Sequence, residues 1–120
     1  MSTFRDLKVY QKAFKLAMNI FNISKSFPDE EKYGLIIQIR KSSRSVCSSI
    51  AEAYRKRKYP AHFVSKTTDA DMENSETQVW LDFALACKYI DRKLYQDLKA
   101  SSEEIGKMLN HMSENPESYK

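Results

Sequence analysis

The sequence predicts an all-α protein, a single up-down-up-down antiparallel bundle of four helices. Apolar residues recur at spacings of three and four along four segments, which is the period of an α-helix. The 120 residues include only two glycines and three prolines, so the turn residues that separate β-strands are nearly absent. The joints between the segments are short, and short joints place consecutive helices side by side and antiparallel. Residues 1–120 are enough for one domain with a core of its own.

The first predicted helix spans residues 3–26 and carries two neighbouring apolar lines. The first line holds Leu7, Tyr10, Phe14, Ala17 and Phe21. The second line holds Val9, Ala13, Leu16, Ile20 and Ile23. Together they cover roughly half of the helix circumference, more than the ~100° that a surface helix buries. The sequence therefore predicts that this helix packs against two neighbours or against another subunit.

The second predicted helix spans residues 29–58. Pro28 disfavours helical geometry at Phe27, and Asp29 is the predicted N-cap. A run of small residues occupies the centre of this helix: Ser42, Ser43, Ser45, Cys47, Ser48, Ser49, Ala51 and Ala53. Small side chains let two backbones approach closely, either within the bundle or at a subunit interface, and both alternatives stay open.

The third and fourth predicted helices span residues 60–89 and 91–112. Pro60 suits the first turn of the third helix, whose first half is polar and whose second half is strongly apolar. Asp91 is the predicted N-cap of the fourth helix. The tail, residues 113–120, is predicted to fray because chain ends are poorly ordered unless something holds them.

The two halves of the chain differ in charge. Residues 1–60 carry 13 Lys/Arg against 5 Asp/Glu, a net charge of +8, whereas residues 61–120 carry 7 against 11, a net charge of −4. The total is the formal charge of +4. This asymmetry predicts a basic face for nucleic acid or an acidic protein, or else two halves that attract one another.

The positions of the two cysteines and the hydropathy of the chain predict the cellular compartment of the protein. Cys47 and Cys87 form no CxxC pair and fall inside predicted helices, which favours buried thiols in a reducing compartment. No stretch approaches the ~18 uncharged residues of a membrane span, and no apolar segment opens the chain. We therefore expect a cytoplasmic protein without a membrane partner.

Three carboxylates of the third helix could form a metal site. Asp69, Glu73 and Glu76 could share one helix face and bind a divalent cation. Carboxylate clusters without His or Cys are more often structural, either solvated or paired with Arg40 and Arg44 of the neighbouring helix. The sequence therefore predicts no metal site and no cofactor.

The sequence lacks the patterns of common catalytic sites. His62 and His111 each lack the Glu three residues earlier that the di-iron bundle pattern requires. No nucleophile elbow or catalytic-cysteine signature occurs, and Gly34 and Gly106 cannot make a glycine-rich phosphate loop. We therefore expect that the protein is not an enzyme.

Cations of the first two helices are candidate contacts for nucleic acid. Arg55–Lys58 is a run of four cations at a helix end, where positive charge also complements the helix dipole. Such side chains contact phosphates without reading base sequence, and the adjacent Tyr54 and Tyr59 could stack on bases. The full candidate set is Arg5, Lys8, Lys12, Lys15, Arg40, Lys41, Arg44, Arg55, Lys56, Arg57 and Lys58.

A series of short motifs runs through nearly the whole chain. It comprises Phe4-x-x-Leu7-x-Val9-x-Gln11-x-Ala13, Phe27-Pro28, Glu31, Tyr33-Gly34-Leu35, Gln38-Ile39-Arg40-Lys41, Ser45-Val46, Ile50-Ala51-Glu52, Phe63, Ala70, Glu73-x-x-Glu76-Thr77 and Tyr89-Ile90. With this series the chain resembles, over roughly residues 4–112, the four-helix-bundle proteins encoded in intervening sequences of bacterial 23S ribosomal RNA genes. It departs from the usual family pattern, Asn and Gly, at Ser49 and Ala53.

The resemblance implies a bundle that assembles into a homopentameric barrel. Accessory proteins of diversity-generating retroelements are similar in fold, and they act through a basic surface on nucleic acid and a reverse transcriptase. We therefore expect a homo-oligomer, a pentamer, that binds structured RNA or DNA through the basic residues of its first two helices. The alternative is a protein-interaction scaffold or accessory subunit, with an acidic or apolar protein partner and no direct nucleic-acid contact.

Overall fold

Four α-helices make up the protein, for which a computed structural model describes residues 2–120. They are α1 Lys8–Ser24, α2 Leu35–Arg55, α3 Pro60–Ala86 and α4 Arg92–Glu114. Three short 3-10 helices accompany them at Phe4–Asp6, Asp29–Glu31 and Pro116–Tyr119. The described part contains no strand, and none of its helices is long and apolar enough to cross a membrane. The prediction of an all-α protein with four helices is confirmed.

Each helix packs against two others. Helix α2 packs against α1 and α3, and α4 packs against α3 and α1, whereas the Cα atoms of the diagonal pairs stay more than 8 Å apart within residues 2–120. The joints are short, so consecutive helices run antiparallel and the bundle is 44 Å long and 24 Å across in both other directions. One end of the bundle therefore collects the start of α1, the end of α2, the start of α3 and the end of α4.

The first helix begins later than its predicted start at residue 3. Thr3 Oγ1 accepts a bond from the Arg5 amide, and Asp6 Oδ2 accepts one from the Thr3 amide, which together close a capping box. The capped segment Phe4–Asp6 is a 3-10 helix, and Leu7 is extended with φ −68° and ψ 128°. This extended residue separates the short turn from α1.

The predicted cap of the second helix is wrong. Asp29 begins the 3-10 helix Asp29–Glu31, and α2 starts at Leu35. Glu31 takes the capping role, because its Oε1 accepts a bond from the Leu35 amide at 3.0 Å. Its Oε2 accepts a second bond from the Tyr89 hydroxyl at 2.8 Å, so one carboxylate ties the start of α2 to the loop after α3.

The later helix boundaries follow local backbone chemistry. Helix α2 ends at Arg55, three residues before its predicted end, and α3 ends at Ala86, where Lys88 adopts a positive φ of 63°. Pro60 lies in the first turn of α3, as predicted. Asp91 is the N-cap of α4 and accepts a bond from the Leu94 amide at 2.8 Å, so this cap prediction is confirmed.

The expectation of a frayed tail is wrong. Helix α4 continues to Glu114, and Pro116–Tyr119 forms a further 3-10 helix. The ring of Tyr119 stacks on the buried ring of Phe63, with centroids 5.4 Å apart and planes 25° apart. Partial burial of the Tyr119 ring against the core holds the tail against the start of α3.

The two apolar lines of α1 have different environments. The line that starts at Val9 supplies core residues, with Val9, Ala13, Leu16 and Ile20 all buried. The other line leaves the Phe14 side chain 52% exposed. The excess apolar width predicted for this helix is therefore real, and the single chain does not cover it.

Two small residues of α2, Ser42 and Ser49, pack against α3. Ser42 accepts a bond from the Thr77 hydroxyl at 2.9 Å, with both side chains buried. Ser49 donates to the Glu73 carboxylate at 2.5 Å. These bonds support the close-packing interpretation of this run within the bundle.

The two cysteines differ in exposure, which corrects the prediction that both are buried. Cys47 is half-buried, and burial raises the pKa of its thiol to about 11. Cys87 is exposed, because it lies just past the C-terminal end of α3, at the turn into α4.

Candidate nucleic-acid interface

The structure separates the eleven candidate cations into three groups. The first consists of Lys8, Lys12 and Lys15 on α1, and the second of Arg40, Lys41 and Arg44 in the middle of α2. The third, at one end of the bundle, consists of Arg5, Arg55, Lys56, Arg57 and Lys58. Only the third group is therefore gathered at one end of the bundle, whereas the first two lie along α1 and α2.

All members of the third group except Lys56 line a concave pocket of about 530 Å³, which we call the end pocket. Its lining residues are Ser2, Thr3, Phe4, Arg5, Tyr54, Arg55, Arg57, Lys58 and Lys120. Five of these nine side chains are cations, and no carboxylate side chain lines the pocket within residues 2–120. Cations that converge on one opening raise the local positive potential and attract anions.

The capped turn before α1 holds the backbone at Arg5. The Arg5 amide donates to Thr3 Oγ1 at 3.1 Å, and the Arg5 carbonyl accepts a bond from Gln11 Nε2 at 2.9 Å. The guanidinium carbon lies 4.4 Å from the centroid of the Phe4 ring. The backbone is therefore fixed while the exposed guanidinium stays at the rim of the pocket.

Tyr54 organises the opposite wall of the end pocket. The guanidinium carbon of Arg57 lies 3.7 Å from the Tyr54 ring centroid, and Arg57 Nε donates to the Tyr54 carbonyl at 2.9 Å. The Tyr54 hydroxyl shares a hydrogen bond with Ser2 Oγ at 2.9 Å. Because its ring already stacks on Arg57, Tyr54 is a poor platform for a base, contrary to one possibility raised by the sequence.

Lys120 is a pocket residue that the sequence argument missed. It lines the end pocket because the tail folds back onto Phe63, whereas a frayed tail would carry it into solvent. Its Nζ also forms an exposed ion pair with Glu117 at 2.9 Å. Only the aromatic Tyr119 in the tail could have signalled this docking.

The middle group on α2 is partly engaged within the bundle. Arg40 Nε donates to Ser24 Oγ at 2.8 Å, and its guanidinium carbon lies 4.6 Å from the Phe21 ring centroid. Arg40 thus fastens α2 to the C-terminal end of α1, where a cation complements the helix dipole. The guanidinium of Arg44 lies 5.5 Å from the same ring and is exposed.

The lysines of α1 lie on the side of the helix that faces α4. Lys12 forms an ion pair with Glu104 of α4 at 2.8 Å. Lys8 lines a shallow groove with Lys107 and His111 of α4. The positive charge of this face is partly neutralised by Glu104, and the residues of the groove differ from those of the end pocket.

The carboxylates of α3 form neither a metal site nor ion pairs with the arginines of α2. No group of three or more His, Cys, Asp or Glu among residues 2–120 could hold a metal ion. The suggested pairing with Arg40 and Arg44 is wrong, since Glu73 instead accepts the bond from Ser49. Burial raises the pKa of Glu73, and the nearby acidic side chains raise it further, while the Ser49 bond lowers it.

The family model of the 23S rRNA-intervening sequence protein matches residues 5–111. The chain belongs to this family. The match spans α1, α2, α3 and all of α4 except its last three residues, and it confirms the resemblance found in the sequence. A search of curated proteins finds no match.

A solved structure has the same fold as this chain. It is the crystal structure of a protein with unknown function from the S23 ribosomal protein family of Bacteroides thetaiotaomicron VPI-5482. The two chains share 31% identity and superpose with a TM-score of 0.80, over 88% of this chain and 95% of the other.

The two departures from the intervening-sequence family pattern lie inside the bundle. Ser49 is buried and donates its hydroxyl to Glu73 of α3, and Ala53 is fully buried. Ser49 therefore serves the packing of α2 against α3, and Ala53 is part of the hydrophobic core. The side chains at these two positions are buried, so neither is accessible to a ligand on the surface of the single chain.

Proposed function

We propose that this member of the 23S rRNA-intervening sequence family is a non-enzymatic, cytoplasmic, homo-oligomeric protein that binds RNA or DNA through the end pocket. The observation that carries the proposal is the convergence of Arg5, Arg55, Arg57, Lys58 and Lys120 on one concave opening. Polyanions bind such a cluster because each phosphate contact releases condensed counterions. The hydroxyls of Ser2 and Thr3 add polar groups but no base-reading edge, so we expect little sequence preference.

The other candidate cations have a smaller part in this proposal. Arg40 is committed to Ser24 and Phe21, and Lys12 is paired with Glu104. Lys56 lies outside the lining of the pocket but belongs to the same turn, so it extends the basic rim. The binding surface is thus centred on the end of the bundle and not on the length of α1 and α2.

The test is a charge reversal with a control at the opposite end of the bundle. We expect Arg55→Glu with Lys58→Glu to weaken binding of a structured RNA at least tenfold in fluorescence anisotropy. On duplex DNA, the loss of two phosphate contacts should reduce the slope of log K against log salt by about 1.8. The control, Arg92→Glu with Lys93→Glu at the start of α4, makes the same change in charge and should bind nearly as the wild type does.

Two outcomes would contradict nucleic-acid binding by the end pocket. One is no binding of RNA or duplex DNA even at low salt. The other is an equal loss of affinity in both double variants. That result would show that affinity depends on the net charge of the protein and not on the end pocket.

The homo-oligomer is the second part of the proposal. The exposed Phe14 and the family resemblance, which implies a pentamer, both support it. Light scattering on the pure protein should give a mass close to five times the 14.0 kDa of one chain. A mass of 14.0 kDa would contradict the oligomer.

A protein-interaction scaffold is the second candidate function. The large apolar side chains exposed on α1, α2 and α3 favour it, since contiguous apolar surface marks sites of protein contact. Recovery of one acidic protein in a pull-down after nuclease treatment, together with no binding of nucleic acid, would favour this function over the first.

A further inference from the structure

Two separate apolar surfaces remain exposed on the bundle. Eight large apolar side chains are exposed within residues 2–120, and seven of them lie on these surfaces. The first surface is the α1–α2 groove and its extension along α2, with Phe14, Met18, Tyr33 and Ile37 exposed. The second is the α3 ridge, formed by Met72, Val79 and Phe83.

The α3 ridge lies on the side of α3 opposite to the core. Its residues are seven and four positions apart and therefore project from one face of the helix. Core residues such as Ala70, Leu81 and Ala84 occupy the other face. Exposed fractions of 66% for Met72, 46% for Val79 and 54% for Phe83 leave the ridge uncovered by the chain itself. A helix that is apolar on opposite faces is one that is buried on both.

The α1–α2 groove has the complementary shape. Phe14 and Met18 form its α1 wall, and the small side chains of Cys47, Ser48 and Ala51 form its α2 side. The resulting depression has a volume of about 470 Å³. Large side chains on one helix and small ones on its neighbour leave room for a ridge from a third helix.

The charges beside the two surfaces are opposite. Arg44 lines the groove, and Lys41 lines the adjoining cavity along α2. Asp69 and Glu76 are exposed on α3 beside the ridge. Ion pairs in the described part of the chain join other side chains, so these two cations and two carboxylates have no ionic partner there.

We propose that the α3 ridge of one copy of this chain docks into the α1–α2 groove of a second copy, with Asp69 and Glu76 facing Lys41 and Arg44. This inference rests on the homo-oligomer proposed above and adds which two surfaces meet. Contacts between like surfaces are disfavoured by repulsion between like charges. Two grooves in contact would bring one Arg44 towards a second Arg44, and two ridges in contact would bring one Glu76 towards a second Glu76. Two unlike surfaces give a head-to-tail interface, which closes into a ring when the rotation between copies permits.

The docking assigns a role to two of the candidate cations. Lys41 and Arg44 then serve assembly, and the end pocket carries the nucleic-acid contact. Phe4 lines both the end pocket and the groove, so each end pocket lies beside a subunit contact. A ring would repeat the end pocket around one rim and thereby multiply its affinity for a long polyanion.

The experiment combines two variants of the full chain, each with one broken surface. The groove variant carries Phe14→Asp and Met18→Asp, and the ridge variant carries Val79→Asp and Phe83→Asp. Each alone should have the 14.0 kDa mass of one chain in light scattering. A one-to-one mixture should give twice that mass, because one intact ridge and one intact groove remain. The control Gln96→Asp, on exposed α4 surface, should keep the wild-type mass.

Several outcomes would overturn the docking. If the wild type is an oligomer, the docking is overturned when either variant keeps the wild-type mass. It is also overturned when the mixture stays at the mass of one chain. A wild-type protein of 14.0 kDa would instead contradict the oligomer itself. RNA binding by the end pocket is measured separately, with the charge-reversal variants described above.

An aspartate variant that loses its helical circular dichroism signal has not folded, and the docking is then tested by exchanging the charges of the proposed ion pair. Glu76→Arg alone should raise the dissociation constant of assembly at least tenfold, and Arg44→Glu added to the same chain should recover most of that loss. No recovery in the double variant would overturn the pairing of these two charges.

Discussion

At the scale of single residues, Glu31 shows how one side chain can connect distant parts of the bundle. Its carboxylate accepts bonds from the Leu35 amide and from the Tyr89 hydroxyl. A methyl group at Gly34 would lie 2.8 Å from Glu31 Oε1, so the absence of a side chain at Gly34 allows this close approach. The sequence shows the acidic residues before α2, but the choice of Glu31 over Asp29 depends on where Tyr89 lies.

We expect Glu31→Gln to lower the melting temperature near neutral pH. The amide bond with Leu35 and the hydrogen bond with Tyr89 lower the pKa of Glu31, so its charged form stabilises the folded state. This contribution is present above the pKa of Glu31 in the unfolded chain and is lost as pH falls through the lower pKa in the fold. Thermal melts at pH 7 and pH 3 should show the difference between variant and wild type shrink at the lower pH.

The control for this prediction is Glu30→Gln, an exposed neighbour in the same short helix. It should melt close to the wild type at both pH values. A pH-independent effect of Glu31→Gln would show that the carboxylate charge does not matter.

At the scale of helices, the helical spacing of apolar residues located all four helices in the sequence, and capping interactions set where they begin and end. The period placed α1 and α2 correctly but extended both at their starts, because period alone does not distinguish a 3-10 turn from an α-helix. Thr3 and Asp6 close a capping box before α1, and the turn before α2 depends on a contact with the loop after α3. Pro60 and Asp91 were predictable because each acts within its own helix.

The cap of α4 gives a prediction at this scale. We expect Asp91→Ala to reduce the free energy of unfolding by about 1 kcal/mol, because the Leu94 amide loses its acceptor. Asp91→Asn retains a side-chain oxygen and should cost much less. Urea unfolding followed by circular dichroism measures both, and equal losses in the two variants would contradict a capping role.

At the scale of the whole molecule, the structure decides which charges and surfaces come together. The sequence places all eleven candidate cations in its first half, and packing brings Arg5 of the N-terminal turn beside Arg55 and Lys58 at the end of α2. It also fixes the register of α3 against α4 through Asn74, whose Nδ2 donates to the Ser102 carbonyl at 2.8 Å. Asn74 Oδ1 accepts a bond from the Ser102 hydroxyl at 2.9 Å.

We expect Asn74→Ala to lower the free energy of unfolding by about 1–3 kcal/mol, since the buried carbonyl of Ser102 loses its side-chain donor. The matched control is Ser75→Ala, an exposed neighbour on α3, which should unfold close to the wild type. Urea unfolding curves compare the three proteins. A loss below about 0.5 kcal/mol for Asn74→Ala would contradict a stabilising role for this pair.

The sequence by itself determined the four helices, inward residues such as Leu16 and Ile20, and the family, because periodicity and motif order are local properties of the chain. Only the tertiary structure decided that the tail docks on Phe63 and that Lys120 joins the end pocket. Only the structure decided that Arg40 is tied to Ser24 while Arg44 stays exposed. These outcomes depend on which helix ends and faces meet in space, and periodicity along one helix does not specify its neighbours.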